Sequence, residues 1–382
     1  MLLTAGLGRG YELAFGGIAM LKRSFAIFVI SALACGMLSA QEVSPDQLHQ
    51  PTLTPQDSGT TNGLIAVWPV NPQVVWASGR AGTFTVTTDG GDTWRAAVVP
   101  GAEALQFRDV QAFSASVAYL LSIGTSGDPT DFRIYKTEDG GATWTIQFEN
   151  QNPNAFYDGF AFWTPRRGIA HSDSVNGVFP DLRITDGTTW QDISTNMPPA
   201  LPGEFSFASS GTCVTTQGGR NAWICTGGAT IARVLATRDA GDSWRAYNTP
   251  LLSSPTAGAF TVDFRNPFEG IVGGGDLDPN DPNNARTATS SDGGQTWTFT
   301  NPPPVTGAIF GLSYVGQTGG GVGGNGRAVV ITANDGGAAW TPDEGNTWFT
   351  LPGVTGFWAV AFASPKAGWL VGTDGRILKI SF

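Results

Sequence analysis

The stretch that decides the fold is Thr87–Trp94, TTDGGDTW, because the chain keeps repeating it. Near-copies stand at Thr137–Trp144 (TEDGGATW), Thr237–Trp244 (TRDAGDSW), Ser290–Trp297 (SSDGGQTW) and Thr341–Trp348 (TPDEGNTW). A shortened copy, TDGTTW, ends at Trp190. The closing residues Trp94, Trp144, Trp190, Trp244, Trp297 and Trp348 are 50, 46, 54, 53 and 51 residues apart. A near-constant period of this size is the mark of a repeat architecture.

Alternating apolar segments precede each motif and amount to about four short strands per unit, the make-up of a β-propeller blade. The last unit, FWAVAFASPKAGWLVGTDGRILKISF (357–382), has three strands and then stops. QPTLTPQD (50–57) can supply the fourth, since its two prolines are tolerated only on an outer edge strand. Joining the termini in this way also protects otherwise open edges. The expectation is all-β: a single seven-bladed propeller of four-stranded antiparallel blades. Residues 58–382 form the ring, and 41–57 hold a linker and the ring-closing strand. Fifty-two glycines, 13 tryptophans and only 14% charged residues suit short strands and tight turns.

The front end reads as an address. From Met20, an alternative start, the chain runs MLKRSFAIFVISALACGMLSAQE: a basic pair at Lys22 and Arg23, an apolar run too short to span a bilayer, and small residues ending at Ala40. Residues 1–40 are therefore read as a secretory signal, placing the protein in the periplasm or outside the cell. ALAC, ending at Cys35, is the alternative, a lipid-attachment site. Beyond residue 40 there are 18 basic and 30 acidic residues, a net charge of −12, which argues against nucleic acid as a partner. No later segment is apolar enough for a membrane span. Cys213 and Cys225 flank a hairpin, GTCVTTQGGRNAWICTGG. With a three-residue turn at 218–220 they oppose one another, about 4.5–5.5 Å apart at Cα, so a disulfide is expected in an oxidising compartment.

The pattern S/T-x-D-x-G-x-T-W resembles the Asp-box, or BNR, repeat of sialidases, sortilin-type receptors, xyloglucanases and the photosystem II assembly-factor propellers. The closing GWLVGTDGRILKI is most similar to the assembly-factor group. That resemblance implies a protein-binding scaffold or chaperone for a membrane complex or its precursor, a family thought to hold its client on an arginine-rich patch. The box itself reads as carpentry. Asp89, Asp139, Asp186, Asp239, Asp292 and Asp343 can accept hydrogen bonds from their own turns, and the tryptophans can pack on a neighbouring sheet. Catalysis needs a unique constellation, and a box occurs in six of the seven units.

Candidate binding residues lie at the opposite ends of the third strands. Arg133, Arg233 and Arg286 each stand six residues before a box aspartate. Arg183 precedes the shortened box, Arg376 follows the TDG turn of the last unit, and Arg80 lies near the matching loop of the first. Together they are a candidate partner-binding arc, since guanidinium forks take carboxylates or phosphates. The alternative is that each pairs with a blade acid such as Asp131 or Asp181 and merely ties loops. Asp276, Asp278, Asn280 and Asp281 are spaced somewhat like a calcium loop, but Thr287 stands where a bidentate Glu belongs. The run GQTGGGVGGNG lacks the GKS/T ending of a phosphate loop. His49 and His171 are the only histidines, so no histidine-rich metal site is available, and His171, beside Arg166 and Arg167, reads as a surface or loop residue. No cofactor or metal is expected. A sialidase would need an F/Y-R-I-P arginine motif and a Tyr–Glu nucleophile, and DLRIT (181–185) is the nearest approach. The reading is a monomeric, exported, non-catalytic protein-binding propeller, with a glycoside hydrolase or glycan-binding propeller as the alternative.

Overall fold

The computed structural model describes residues 50–124, 126, 128–278, 286–316 and 326–382. The leader with Cys35, His49, Asn280 and Asp281, and most of the glycine run lie outside the described residues. Seven four-stranded antiparallel sheets span 64–98, 106–149, 157–192, 214–248, 257–299, 311–350 and 357–381, here blades 1 to 7. The first strand of each blade lines the central channel and the fourth faces outward. Blade 7 takes its outer strand from Thr52–Gln56, which pairs antiparallel with Ile377–Ser381 in the register Thr52↔Ser381 to Gln56↔Ile377. Among the described residues no helix is long and apolar enough to cross a membrane.

Blades adhere through aromatic seams and through hydrogen bonds between inner strands. Trp223 of blade 4 stacks on Phe264 of blade 5 with centroids 3.6 Å apart, and both are buried. Trp144 of blade 2 meets Phe84 of blade 1 edge-on at 5.2 Å. Buried Asp109 accepts the Phe160 N–H at 2.8 Å, Gln111 accepts the Phe162 N–H at 2.8 Å, and Asp263 accepts the Tyr314 N–H at 3.0 Å. Each of these crosses to the next blade, so polar side chains in the inner strands replace the ladder that separate sheets cannot share.

The boxes fill the turns between third and fourth strands. In the first, Asp89 accepts the Thr93 N–H at 2.9 Å and the Thr93 and Thr87 hydroxyls at 2.6 and 2.7 Å. The shortened box keeps the core of this scheme, Asp186 accepting from the Thr188 and Thr189 N–H groups at 2.8 Å. These bonds to the carboxylate hold Asp139 and Asp186 down to about 2. Glycine is required beside them: Gly141 has φ +84°, and a Cβ there would lie 2.5 Å from the Phe84 ring of the preceding blade.

Two expectations are corrected. Cys213 and Cys225 do stand opposite each other, as the register Val214↔Ile224 and the three-residue turn require, but both are free, buried thiols. The Cys213 Sγ is turned onto Gly159 of blade 3, where it fills the space a Cβ would take, and the pair is joined by the Cys225 N–H to Cys213 O bond at 2.9 Å. His171 is fully buried in the second strand of blade 3, Arg167–Ser172, with Nδ1 on both oxygens of Asp181 at 2.9 Å and Nε2 on the Ser206 hydroxyl at 2.9 Å.

The ring closure is latched by a shared polar acceptor. Gln56 Oε1 accepts the indole N–H of Trp94 at 3.2 Å and of Trp369 at 3.0 Å, joining the N-terminal strand to blade 1 and blade 7. Gln56→Ala strands both donors and is expected to destabilise the protein by about 1–3 kcal/mol, read as a lower denaturant midpoint with unchanged slope.

Candidate binding face

One rim of the ring carries the loops between second and third strands together with the blade-to-blade loops. The boxes occupy the other rim. At the mouth of the channel on the first rim, the inner strands bulge near their starts. The register slips between Phe107 and Asp109, Tyr157 and Gly159, Ala259 and Thr261, and Phe357 and Ala359, leaving Arg108, Asp158, Phe260 and Trp358 as the extra residues. Such bulges re-aim a side chain at a rim. Phe310, just before the inner strand of blade 6, occupies the matching place.

These residues form an aromatic run with a cationic end. Phe207 stacks on Phe260 at 3.7 Å, Phe260 on Phe310 at 5.9 Å, and Phe310 meets Trp358 at 5.2 Å. The guanidinium of Arg80 lies 6.0 Å and that of Arg108 5.5 Å from the Trp358 ring centre, within range of cation–π attraction. Arg108 also donates to Ala208 O at 3.0 Å, while its Nε is buried without a partner. Burial, assisted by the neighbouring Arg80 charge, pulls Arg108 down to about 10. Segment 205–212 crosses the mouth: Ser209 and Ser210 donate to Phe310 O at 3.2 and 2.6 Å, and Thr212 donates to Thr261 at 2.8 Å.

The arginines of the expected arc have diverse environments. Arg133, Arg233 and Arg286 open the third strands of blades 2, 4 and 5, and Arg376 immediately precedes that of blade 7. Arg133 donates to Glu149 at 2.9 Å and to the Tyr135 hydroxyl at 3.3 Å. Arg233 forms a fork with Glu204, Nε to Oε1 at 2.8 Å and Nη2 to Oε2, and the Glu204 side chain is 0% exposed. Arg376 donates to Thr355 O at 2.9 Å and to the Thr373 hydroxyl at 2.7 Å, and packs 4.9 Å from the Phe357 ring. Arg183 turns to the other rim, donating to Ala240 O and Asp242 of the blade 4 box. Arg80 is exposed and sits over Trp358. Arg133, Arg233 and Arg183 pair with Glu149, Glu204 and Asp242; Asp131 and Asp181 bond Ser126 and His171. Sequence reasoning missed Arg108 and Trp358, although their shared place in the recurring inner-strand segments FRDVQAF and FWAVAF was a usable signal.

Beside Arg108 lies an acid pair, buried Asp158 and half-buried Asp173. Neither oxygen of Asp158 receives an N–H or hydroxyl, and burial, then the Asp173 charge, pushes its carboxyl well above the ordinary range. Asp173 is raised by burial as well, and accepts the Ser206 N–H at 2.9 Å. Asp263 is likewise raised by burial, to about 6.

Two predictions follow from these environments. Arg233→Ala leaves Glu204 buried and unpaired and is expected to cost about 3–5 kcal/mol, whereas Arg133→Ala, facing the part-exposed Glu149, costs below about 1 kcal/mol; thermal melts separate them. Acids whose folded pKa is raised stabilise the fold fully below the ordinary aspartate value of 3.8, and that contribution is lost as pH rises through the folded value, about 6 for Asp263. The melting temperature should thus carry a component that falls from pH 4 to neutrality. Asp158→Asn, which mimics the protonated side chain, should reduce that fall and leave stability at pH 7.5 unchanged or higher.

The fold and the mouth define a seven-bladed propeller with a cationic and aromatic rim. Solved structures of the same architecture include YCF48 bound to D1 peptide, 15% identical with a TM-score of 0.59 over 88% of this chain and 96% of that one. YCF48 from Cyanidioschyzon merolae is also 15% identical, with a TM-score of 0.60 over 86% and 98%. The GH74 xyloglucanase of Xanthomonas campestris is 12% identical, with a TM-score of 0.59, and is matched over 53% of its length and 86% of this chain. No protein-family model and no curated protein matches the sequence.

Proposed function

We propose that this is an exported, non-catalytic propeller that holds a segment of another protein on the rim opposite the boxes, as a scaffold or assembly factor for a membrane or envelope complex. The observation that carries the reading is the pair of guanidiniums, Arg80 and Arg108, sharing the Trp358 face beside the half-buried Phe310 at the channel mouth. Aromatic and arginine side chains clustered at the centre of a face are what protein interfaces use as energetic anchors. A peptide-bound YCF48 among the similar folds supports the same use of the architecture. In this reading Arg133, Arg233 and Arg376 shape the loops around the mouth, residues 1–40 direct export, and the protein acts as a monomer. Lipid attachment through Cys35 would tether it to the membrane it serves.

A glycosidase reading draws on the xyloglucanase likeness, but in the acid pair at this face, Asp158 and Asp173, Asp158 is fully buried. Two carboxyl groups flanking an open sugar site would be needed.

The deciding experiment is chemical crosslinking in cells of tagged wild type and of an Arg80→Ala/Trp358→Ala variant with an unchanged melt, followed by affinity measurement with the recovered partner. The reading expects one envelope-complex subunit, bound by wild type and weakened at least about tenfold by the variant. Equal affinity for both proteins removes the mouth as the site. Hydrolysis of a glycan panel by wild type would replace the reading with the glycosidase one.

A further inference from the structure

The face that carries the boxes holds a second basic site, at the junction of blades 3 and 4. A pocket there is lined by Trp163, Arg167, Arg183, Arg220 and the blade 4 box residues Asp239, Ala240 and Asp242, with Ile184 and Thr185 as its floor.

The charges around it do not cancel. Asp239 is held by its own turn, accepting from the Ser243 N–H at 2.9 Å and from the Ser243 and Thr237 hydroxyls at 2.6 and 2.7 Å, and contributes one negative charge. Asp242 is paired with Arg183. That leaves Arg167 and Arg220, neither of which makes a side-chain hydrogen bond or ion pair among the described residues. Arg167 is held by packing, its guanidinium 5.9 Å from the Trp163 ring, and that ring is fixed by its N–H bond to Asn221 O at 2.7 Å. Arg220 is exposed, and its backbone carbonyl accepts the Ala240 N–H at 2.8 Å, which anchors it at the pocket edge. The Nε of Arg183 is buried with no acceptor. Three guanidiniums against two carboxylates leave this concavity net positive in a protein that is otherwise acidic, and two of the guanidiniums have no acid partner.

We propose that this pocket binds an oxyanion, a phosphate or sulfate group. The net positive lining favours an anion, and the unpaired guanidinium forks of Arg167 and Arg220 match its oxygens bidentately. Trp163 holds Arg167 in place before the anion arrives, which lowers the ordering cost of binding. The anion can be the free ion or an ester group on a larger molecule; the chemistry at the pocket is the same. The site is separate from the channel mouth and does not rest on the function proposed for it.

The test is isothermal titration calorimetry of the full protein with sodium phosphate, sodium sulfate and glycerol 3-phosphate at constant ionic strength, with chloride as the reference. Wild type should bind phosphate or sulfate with saturable heat, and Arg167→Ala and Arg220→Ala should each weaken it about tenfold or more. Arg220→Lys, which keeps charge but loses the fork, should bind with intermediate affinity. Arg80→Ala at the mouth should bind as wild type does. Binding of glycerol 3-phosphate as tight as that of the free ions assigns the pocket to an ester of a larger molecule; its exclusion assigns the free ion. Heat indistinguishable from chloride, or unchanged in an Arg167→Ala/Arg220→Ala variant with a wild-type melt, overturns the proposal.

Discussion

Every other feature depends on the seam between neighbouring sheets. A four-stranded sheet rich in Trp, Phe and Val has two apolar faces, and in this chain each face is covered only by the next sheet. Trp223 on Phe264, and Trp144 against Trp76 and Phe84, are points where that cover is made by stacked or edge-on rings. Stacked rings of this kind bury roughly 150–250 Å² each and gain a further increment from their offset or edge-on geometry. The seams also dictate where polar residues go. Asp109, Gln111 and Asp263 sit in the inner strands because main-chain groups facing a different sheet need acceptors that the sheet's own ladder cannot supply.

That geometry separates two kinds of repetition. The boxes repeat because each must brace its own turn and sit close against the preceding blade, a task with the same solution every time. The mouth does not repeat: equivalent bulged positions carry Arg108, Asp158, Phe260 and Trp358. Structure repeats around the ring while chemistry varies at one height within it, which is how a symmetric scaffold acquires a one-sided face.

The difference also sets what could be read from residues alone. The period of the tryptophans, the incomplete last unit and the prolines of QPTLTPQD were enough for seven blades and for closure by the N-terminal strand. The hairpin register of Cys213 and Cys225 was legible too, but not the rotamer that turns Cys213 onto Gly159. Local pattern carries strand pairing; it does not carry side-chain direction across a seam. The arginines show the same limit. Equal offset from a box placed Arg133, Arg233 and Arg286 at strand starts, yet Glu149 and Glu204, the acids that meet the first two, come from an outer strand and a blade-to-blade loop. His171 looked exposed because of two neighbouring arginines, although strand alternation left room for a buried polar residue bonded to Asp181 and Ser206.

Ring closure by Thr52–Gln56 has a consequence for how the molecule comes into being. The outermost strand of the last blade is the first part of the ring to be synthesised, and its partner, Ile377–Ser381, is the last. Until the final residues are available, the first strand has no ladder to join and blade 7 does not exist. Blades 1 and 6 then each keep one apolar face uncovered. Contacts between such distant points in the sequence form slowly. The chain therefore stays an open arc until Ile377–Ser381 is available, so closure of the circle waits on a strand more than three hundred residues from its partner.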